Sequence, residues 1–233
     1  MSDKEKWKTW GDVFDNFTFR TLFKLESEGH FDRLVSPIAI GKEANVFTAV
    51  KDRETVCVKI YRLEVADFNR MYYYIAGDPR FKGLKNNRRK TIFAWCQREY
   101  RNMLIARGGD CAVPKPIAFE NNVLVMEFIG EENKSYPLLK DAKPEDPEKF
   151  FKEVIKQMKL LFKADLVHGD LSEYNILNVN DSPVLIDLSH GTLTKTQIAK
   201  ELLERDIKNV CSFFKKQGVK ADEEKAMKEI VKK

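Results

Sequence analysis

The fold of this chain is decided by two stretches of sequence, His168-Gly169-Asp170-Leu171-Ser172-Glu173-Tyr174-Asn175 and Val184-Leu185-Ile186-Asp187-Leu188-Ser189. In the second stretch an apolar run predicts a short buried strand, and Asp187 stands where that strand emerges. A carboxylate in such a place must be hydrogen-bonded or bound to a cation. Asn175 likewise precedes an apolar segment, and carboxylate and amide oxygens are ligands that Mg²⁺ accepts while it bridges phosphates. Either residue alone could be an ordinary turn residue, but Asp170, Asn175 and Asp187 together predict a site for metal and phosphate.

The spacing of these three residues resembles the catalytic loop of protein kinases. Asp170 and Asn175 match the pattern H-x-D-L-x-x-x-N, and Asp187 then takes the metal-binding position of the D-F-G motif. By that template Asp170 orients the acceptor nucleophile and takes its proton, whereas Asn175 and Asp187 hold Mg²⁺ across the phosphates. Gly169 replaces the arginine that is usual in the motif, so control through a phosphorylated activation loop is not expected.

Two upstream residues fit the same template. Lys59 lies near the end of the apolar run Cys57-Val58-Lys59-Ile60, where an inward lysine is costly unless an anion meets it. Glu99 falls on the apolar stripe of a predicted helix, where a hydrophobic residue is expected. A pair of Lys59 with Glu99, like the lysine–glutamate pair of active kinases, explains both anomalies.

The predicted phosphate loop is the weakest part of the template. Gly41-Lys42-Glu43-Ala44-Asn45-Val46 aligns with the glycine-rich loop, but only one of the three glycines is present. Ala39 and Ala44 stand where the others would be, so this stretch alone could be a plain turn. The backbone can still approach a phosphate at Gly41, and Lys42 adds a charge beside it.

These departures from the common kinase pattern resemble the RIO family of atypical protein kinases. The resemblance is carried by Ile40-Gly41-Lys42-Glu43-Ala44-Asn45-Val46, the His168–Asn175 stretch and Ile186-Asp187-Leu188-Ser189, and it runs from about Val13 to about Gly218. The first RIO subfamily fits best, because the second carries an N-terminal winged-helix domain that 35 residues could not hold. The chain is similar to the compact archaeal form. Phe47 departs from the tyrosine that the family often has there, and the family's phosphorylatable serine has no evident counterpart.

The resemblance implies a small bilobal kinase fold of α+β class with ATP between its lobes. It implies catalytic roles for Asp170, Asp187, Lys59 and Asn175, and hydrogen bonds from adenine to the hinge backbone at Glu127 and Ile129. The full nucleotide site that it implies comprises Ile40, Gly41, Lys42, Glu43, Ala44, Val46, Lys59, Glu99, Met126, Glu127, Ile129, Glu173, Asn175, Ile186 and Asp187. Mg²⁺, or Mn²⁺ in its place, would be held by Asn175 and Asp187.

The resemblance further implies a role in maturation of the small ribosomal subunit, driven by ATP turnover, with Asp187 as a transient phosphoryl acceptor. Within the insertion that comes after the second predicted strand, a basic cluster could contact rRNA phosphates or could form a solvated loop. Its members are Lys82, Lys85, Arg88, Arg89 and Lys90.

Three ranges organise the chain: a helical extension over 1–35, an N-lobe over 36–130 and a reduced C-lobe over 131–233. Strands are predicted over 46–50, 55–60, 117–119, 123–126 and 184–186, and helices over 91–107, from Pro147 onward and over 198–214. Residues 62–90 are predicted to be a flexible insertion. The short remainder after Asp187 leaves little room for an activation segment and peptide-docking helices.

Composition bounds the setting of the protein. The 233 residues carry a net charge of +5, and no apolar run approaches the roughly 20 residues of a membrane span. The charged first residues lack the apolar stretch of a signal peptide, and four scattered cysteines without CxxC spacing predict reduced thiols. A cytoplasmic protein without a membrane partner is therefore expected.

Three alternatives stay open at the level of sequence. A small-molecule phosphotransferase of the aminoglycoside or choline kinase type also uses H-G-D, although such enzymes usually have a larger C-lobe. The small kinase of the tRNA-modification complex is similar in length but usually keeps D-F-G, where this chain has Asp187-Leu188-Ser189. A non-catalytic nucleotide-binding scaffold is the third alternative.

Overall fold

The computed structural model describes residues 14–64, 68–85, 87–131 and 133–232. Its α-helices in this part of the chain are α1 (Asn16–Ser27), α2 (Phe68–Ala76), α3 (Arg88–Gly108), α4 (Pro147–Lys163), α5 (Ala199–Lys216) and α6 (Glu223–Val231). The strands that matter for the site are β1 (Arg33–Ile40), β2 (Ala44–Lys51), β3 (Glu54–Tyr61), β4 (Pro116–Glu120), β5 (Val123–Glu127), β6 (Gly130–Glu131), β7 (Lys134–Ser135), β8 (Leu166–Val167), β9 (Ile176–Val179), β10 (Ser182–Leu185) and β11 (Thr192–Leu193).

A five-stranded antiparallel sheet in the order β1-β2-β3-β5-β4 forms the first layer. Helix α1 covers one face, where Leu22 and Leu25 pack with Phe47 and Val58 in a separate apolar cluster. Successive residues of a strand point to opposite faces. Lys59 is the residue after Val58 in β3, so its side chain points to the other face, toward α3.

The remaining helices and three two-stranded pairings form a second layer. Helix α4 begins as the sequence predicts, because Asp146 caps it by accepting from the N–H groups of Glu148 and Lys149, with Pro147 at its first position. Its apolar face, which includes Val154 and Leu161, joins the larger core together with α5 and α6. An antiparallel sheet combined with separate helices makes the fold α+β, as predicted.

Strand β1 is not among the predicted strands. It lies at the edge of the sheet, and of its residues only Leu34 is buried, so the alternation that marks a half-buried strand is absent. Pro37 and two register shifts in its pairing with β2 obscure it further. Because β1 begins at Arg33, it also starts inside the range 1–35 assigned to the helical extension; Val13 and the residues before it lie outside the described residues.

The range 62–90, which the sequence assigns to a flexible insertion, contains regular structure in the part that the structure describes. Helix α2 buries Met71, Tyr74 and Ile75 in the main core, and a 3₁₀ turn at Pro79–Phe81 comes next. Consecutive tyrosines and the Gly77-Asp78-Pro79 turn signal hide this short apolar face in the sequence. Arg88, Arg89 and Lys90 form the first turn of α3, capped by the Asn87 side chain; residues 65–67 and 86 lie outside the described residues.

Two further observations bear on the setting of the protein. Cys57, Cys96, Cys111 and Cys211 are all unbonded and buried, as the sequence predicts. Within the described ranges, no helix combines the length and the apolar character that crossing a bilayer requires.

Ile75→Ala should lower the free energy of unfolding by about 2–5 kcal/mol, the usual cost of a buried cavity of this size, because Ile75 is 0% exposed. Tyr73→Ala is the matched control on the same helix, where the side chain is 62% exposed, and should change stability by about 0.5 kcal/mol or less. Denaturant unfolding measures both. An Ile75→Ala effect as small as that of Tyr73→Ala would show that α2 is not part of the core.

Candidate active site

A cleft of about 650 Å³ lies between the sheet and the second layer. It is lined by every residue of the predicted nucleotide site except Glu173. The sequence reasoning did not find several other lining residues, namely Met103, Pro114, Phe128, Tyr136, Pro137, Leu138 and Asp141. Apart from Met103 these lie in connections before β4, between β5 and β6, and after β7, where side-chain pattern carries little information about position.

Lys59 lies at the centre of the cleft's inner wall. Its Nζ is 2.9 Å from Glu99 Oε1 and 3.0 Å from Asp187 Oδ1, while the Tyr61 hydroxyl donates to the other oxygen of Glu99. Burial acts to lower the pKa of Lys59, but the carboxylates of Asp187 and Glu99 raise it above its ordinary value, so the ammonium stays charged. Burial raises the pKa of the Glu99 carboxyl, and Lys59 opposes that shift.

Asp187 emerges from the end of β10 with a left-handed backbone, φ 59° and ψ 66°. This conformation is strained for a residue with a side chain, and it persists only where its surroundings impose it. Ser189 Oγ donates to Asp187 Oδ1 at 2.7 Å. Burial opposes ionisation, but the Lys59 charge and these hydrogen bonds hold the pKa of Asp187 well below its usual range. The carboxylate is therefore an anion, and 41% of its side chain is exposed to the cleft.

Asn175 is oriented by the catalytic loop itself. Its Nδ2 donates to the backbone oxygen of Asp170 at 2.8 Å, which leaves Oδ1 as the amide atom for a ligand. The Ile186 N–H donates to the Asn175 carbonyl at 3.0 Å and ties this loop to the segment that carries Asp187. Among the described residues there is no group of three or more His, Cys, Asp or Glu side chains arranged to hold a metal ion. The side-chain oxygens of Asn175 and Asp187 are of the kind that could hold Mg²⁺, which commonly takes its other ligands from water and phosphates.

Asp170 lies outside the lining of the cleft, with 44% of its side chain exposed. Burial raises its pKa, and Arg205, with Nη2 3.9 Å from its Oδ1, opposes that shift. An ionised Asp170 can accept a proton from an acceptor that approaches from this side.

The backbone of the catalytic loop is hydrogen-bonded to the buried side chain of Asp206 in α5. Its two oxygens accept from the N–H groups of Gly169 at 2.7 Å and Leu171 at 2.8 Å, and burial raises its pKa to about 7. The sequence reasoning missed this residue. An acidic residue on the apolar face of a helix would have indicated it, because Asp206 stands between Leu203 and Ile207 on that face.

The turn between β1 and β2 closes tightly. The Gly41 N–H donates to the Ala44 carbonyl at 3.0 Å, and a Cβ on Gly41 would stand 2.8 Å from that same oxygen. Glycine is therefore required at this position for the turn itself. The hinge has a constraint of its own, because the Glu127 N–H donates to Lys115 O at 2.8 Å. A ligand that bonds to the backbone of Glu127 would therefore have to use its carbonyl.

Sequence comparison with known proteins identifies the family of this chain. The model of the RIO domain family matches residues 45–227. The chain is 40% identical over 223 residues to the RIO-type serine/threonine-protein kinase Rio1 of Haloferax volcanii, covering 95% of this chain and 77% of that protein. It is 43% identical over 217 residues to the protein of the same name from Methanocaldococcus jannaschii, covering 92% and 74%. These relatives agree with the first subfamily and its archaeal form.

Solved structures agree on the fold. The Rio2 kinase of Chaetomium thermophilum, solved as an ADP/Mg²⁺-phosphoaspartate complex, superposes with a TM-score of 0.72 at 20% identity, covering 93% of this chain and 67% of that one. The bilobal protein-kinase-like fold is therefore confirmed. The extent of the family match and the identity to the archaeal relatives together show that this chain belongs to the RIO family of serine/threonine-protein kinases.

Proposed function

We propose that this chain binds Mg-ATP in the cleft and transfers or hydrolyses its γ-phosphoryl group. The observation that carries the proposal is that the Lys59 ammonium, in the wall of the cleft, donates hydrogen bonds to both Glu99 and Asp187. Lys59 pairs with the phosphates, and the adenine bonds to the Glu127 carbonyl and the backbone of Ile129. Mg²⁺, or Mn²⁺, held by Asn175 and Asp187, would neutralise charge on the phosphates.

Asp170 is proposed to orient the acceptor and take its proton. Asp170 lies outside the lining of the cleft, but Asn175, which lines it, donates from its amide to the backbone oxygen of Asp170. A serine or threonine hydroxyl, or water, can reach Asp170 from solvent because nearly half of its side chain is exposed. The acceptor loses its proton to this carboxylate as its oxygen bonds to phosphorus and ADP leaves.

A transient aspartyl phosphate at Asp187 is a second route within the same proposal. An oxygen of Asp187 bonds to the γ-phosphorus as the bond to the β–γ bridging oxygen breaks, and water later hydrolyses the acyl phosphate. The route is supported by the exposure of this carboxylate to the cleft and by the phosphoaspartate described for the fungal Rio2 complex. ATPase activity is a consequence of this route, because the net reaction consumes ATP and water.

The cellular role proposed from family membership is maturation of the small ribosomal subunit in the cytoplasm. Lys82 and Lys85 are exposed between the 3₁₀ turn and α3, where rRNA phosphates could reach them. Arg88 and Arg89 have intramolecular partners, since Arg88 donates to the Glu64 carbonyl and Arg89 lies over the Phe17 ring. Lys90 is exposed in the same helical turn.

The family match favours this proposal over an aminoglycoside- or choline-type kinase and over the kinase of the tRNA-modification complex. The ion pairs of Lys59 with Glu99 and Asp187 favour catalysis over a scaffold that only binds nucleotide.

Lys59→Met and Asp187→Asn should each lower the rate of ATP turnover by about 100-fold or more, because the first removes a cation that stabilises the transferring phosphoryl group and the second removes a proposed anionic ligand of Mg²⁺. Lys152→Met, at an exposed surface lysine, is the control and should leave the rate unchanged. Turnover is measured as ADP release with Mg²⁺ saturating. Wild-type rates in Asp187→Asn would overturn the assignment of the site.

The pH dependence of transfer should report Asp170. Because burial raises its pKa, the carboxylate gains a proton at a higher pH than a free aspartate does. The rate of transfer should therefore fall as pH is lowered toward that raised pKa, and Asp170→Asn should be slow at every pH without this acid limb. Single-turnover rates between pH 4 and pH 8, about the range over which such a carboxyl titrates, test the expectation. An unchanged acid limb in Asp170→Asn would assign it to another group.

Contact with rRNA predicts a salt-dependent affinity. Lys82→Gln with Lys85→Gln should weaken binding to a small-subunit rRNA fragment and reduce the slope of log Kd against log salt by roughly 0.7–0.9 per lost phosphate contact. Lys152→Gln with Lys228→Gln, at exposed sites in the second layer, is the charge-matched control. An equal effect in both pairs would mean that only net charge matters.

A further inference from the structure

The turn after Asp187 is held by two buried side chains of α3. Asn102 is 0% exposed, and its Nδ2 donates to Leu188 O and to Gly191 O, each at 2.8 Å. A Cβ on Gly191 would stand 2.7 Å from this Nδ2, so the close approach of the amide requires glycine there. Asn102 thus binds the first residue of a second 3₁₀ turn, Leu188–His190, and the glycine that ends this turn.

Arg98 fastens the middle of the same turn. It is 0% exposed, with Nη1 3.2 Å from Ser189 O and Nη2 3.5 Å from His190 O. Its guanidinium also lies 5.2 Å from the centre of the Trp95 ring. Arg98 and Asn102 together therefore reach all four carbonyls of the turn, and we name these two side chains the α3 clamp.

The α3 clamp is itself braced by the 3₁₀ turn that comes after α2. Asp78 is 1% exposed and accepts from Arg98 Nε at 3.2 Å and from Arg80 at 2.6 Å. Arg80 Nη1 donates to Asn102 Oδ1 at 2.8 Å. Every side chain of this network is thus paired, as buried charges must be.

We propose that Arg98 and Asn102 are positioning residues for Asp187, and that the segment from α2 through Arg80 supports them. The inference rests on the proposed function, in which Asp187 binds the metal. Asp187 is strained, so its backbone conformation must be imposed by the neighbouring residues of the 3₁₀ turn. By fixing the turn, the α3 clamp aims the Asp187 carboxylate at the metal and phosphates.

Helix α3 thereby holds Asp187 in two ways. Glu99 acts on its side chain through Lys59, and the α3 clamp acts on the backbone of the turn after it. Outer residues that orient a metal ligand typically contribute a factor of about 10–100 in metal affinity. The segment that follows α2 supports this arrangement, because its residue Asp78 neutralises and orients Arg98.

The test compares nucleotide binding with and without metal in the full chain. Asn102→Ala should leave the Kd for ADP in EDTA unchanged, raise the Mg²⁺ concentration at half-saturation about 10–100-fold, and lower kcat more than it changes KM. Arg98→Lys keeps a cation beside Asp78, but one nitrogen replaces the three that reach Asp78, Ser189 O and His190 O, so it should shift Mg²⁺ dependence in the same direction. It serves as the second variant where Asn102→Ala folds poorly.

Asn122→Ala is the matched control. Asn122 is also 0% exposed and also donates twice from Nδ2, to Thr18 Oγ1 and Tyr61 O, away from the turn after Asp187. It should lose similar thermal stability while keeping wild-type Mg²⁺ dependence. Equal Mg²⁺ dependence in Asn102→Ala and Asn122→Ala, or parallel loss of metal-free ADP binding, would overturn the inference. Wild-type nucleotide binding that ignores Mg²⁺ would instead overturn the proposed metal site.

Discussion

One buried cation organises the cleft. The Lys59 side chain is 8% exposed, and an ammonium so placed is tolerated only because Glu99 and Asp187 compensate its charge. Removing one partner of such a pair typically costs about 3–5 kcal/mol, because the other charge is left buried and unpaired. The two carboxylates are not equivalent, since Glu99 is 1% exposed and Asp187 faces the cleft at 41%. Lys59 is thus anchored on one side and directed toward ligand on the other.

This constraint explains why the sheet, helix α3 and the turn after Asp187 must pack together. Lys59 comes from β3, Glu99 from α3 and Asp187 from the segment after β10, so the ion pairs join three elements far apart in sequence. Pairing strengthens in a low-dielectric interior, and it is lost if any of the three elements shifts. The apolar core that contains Trp95 and Ile75 keeps α3 in place. Helix α2 therefore helps to position Glu99, although it does not line the cleft.

Much of the site could be predicted because its chemistry forces unusual residues into apolar runs. Lys59 in a strand and Glu99 on a helix stripe are such anomalies, and the structure pairs them. Asp206 is likewise an acidic residue on an apolar helix face. It accepts from the backbone N–H groups of Gly169 and Leu171, and a backbone partner cannot be recognised from residue types in the sequence. Helix α2 and strand β1 were missed for another reason. Helix α2 buries only three residues and is followed directly by residues typical of a turn. Strand β1 lies at the edge of the sheet and buries a single residue, so neither element shows a clear apolar pattern.

The catalytic loop and the turn after Asp187 meet at Gly169. Its φ is +79°, and a Cβ there would stand 2.7 Å from His190 O, an oxygen that Arg98 also contacts. An arginine, usual at this position in kinases, could not occupy this conformation without moving one loop away from the other. The loss of that arginine is therefore a packing requirement. Asp206 bonds to one loop and the α3 clamp bonds to the other, so buried side chains of α5 and α3 hold the backbone on both sides of this contact.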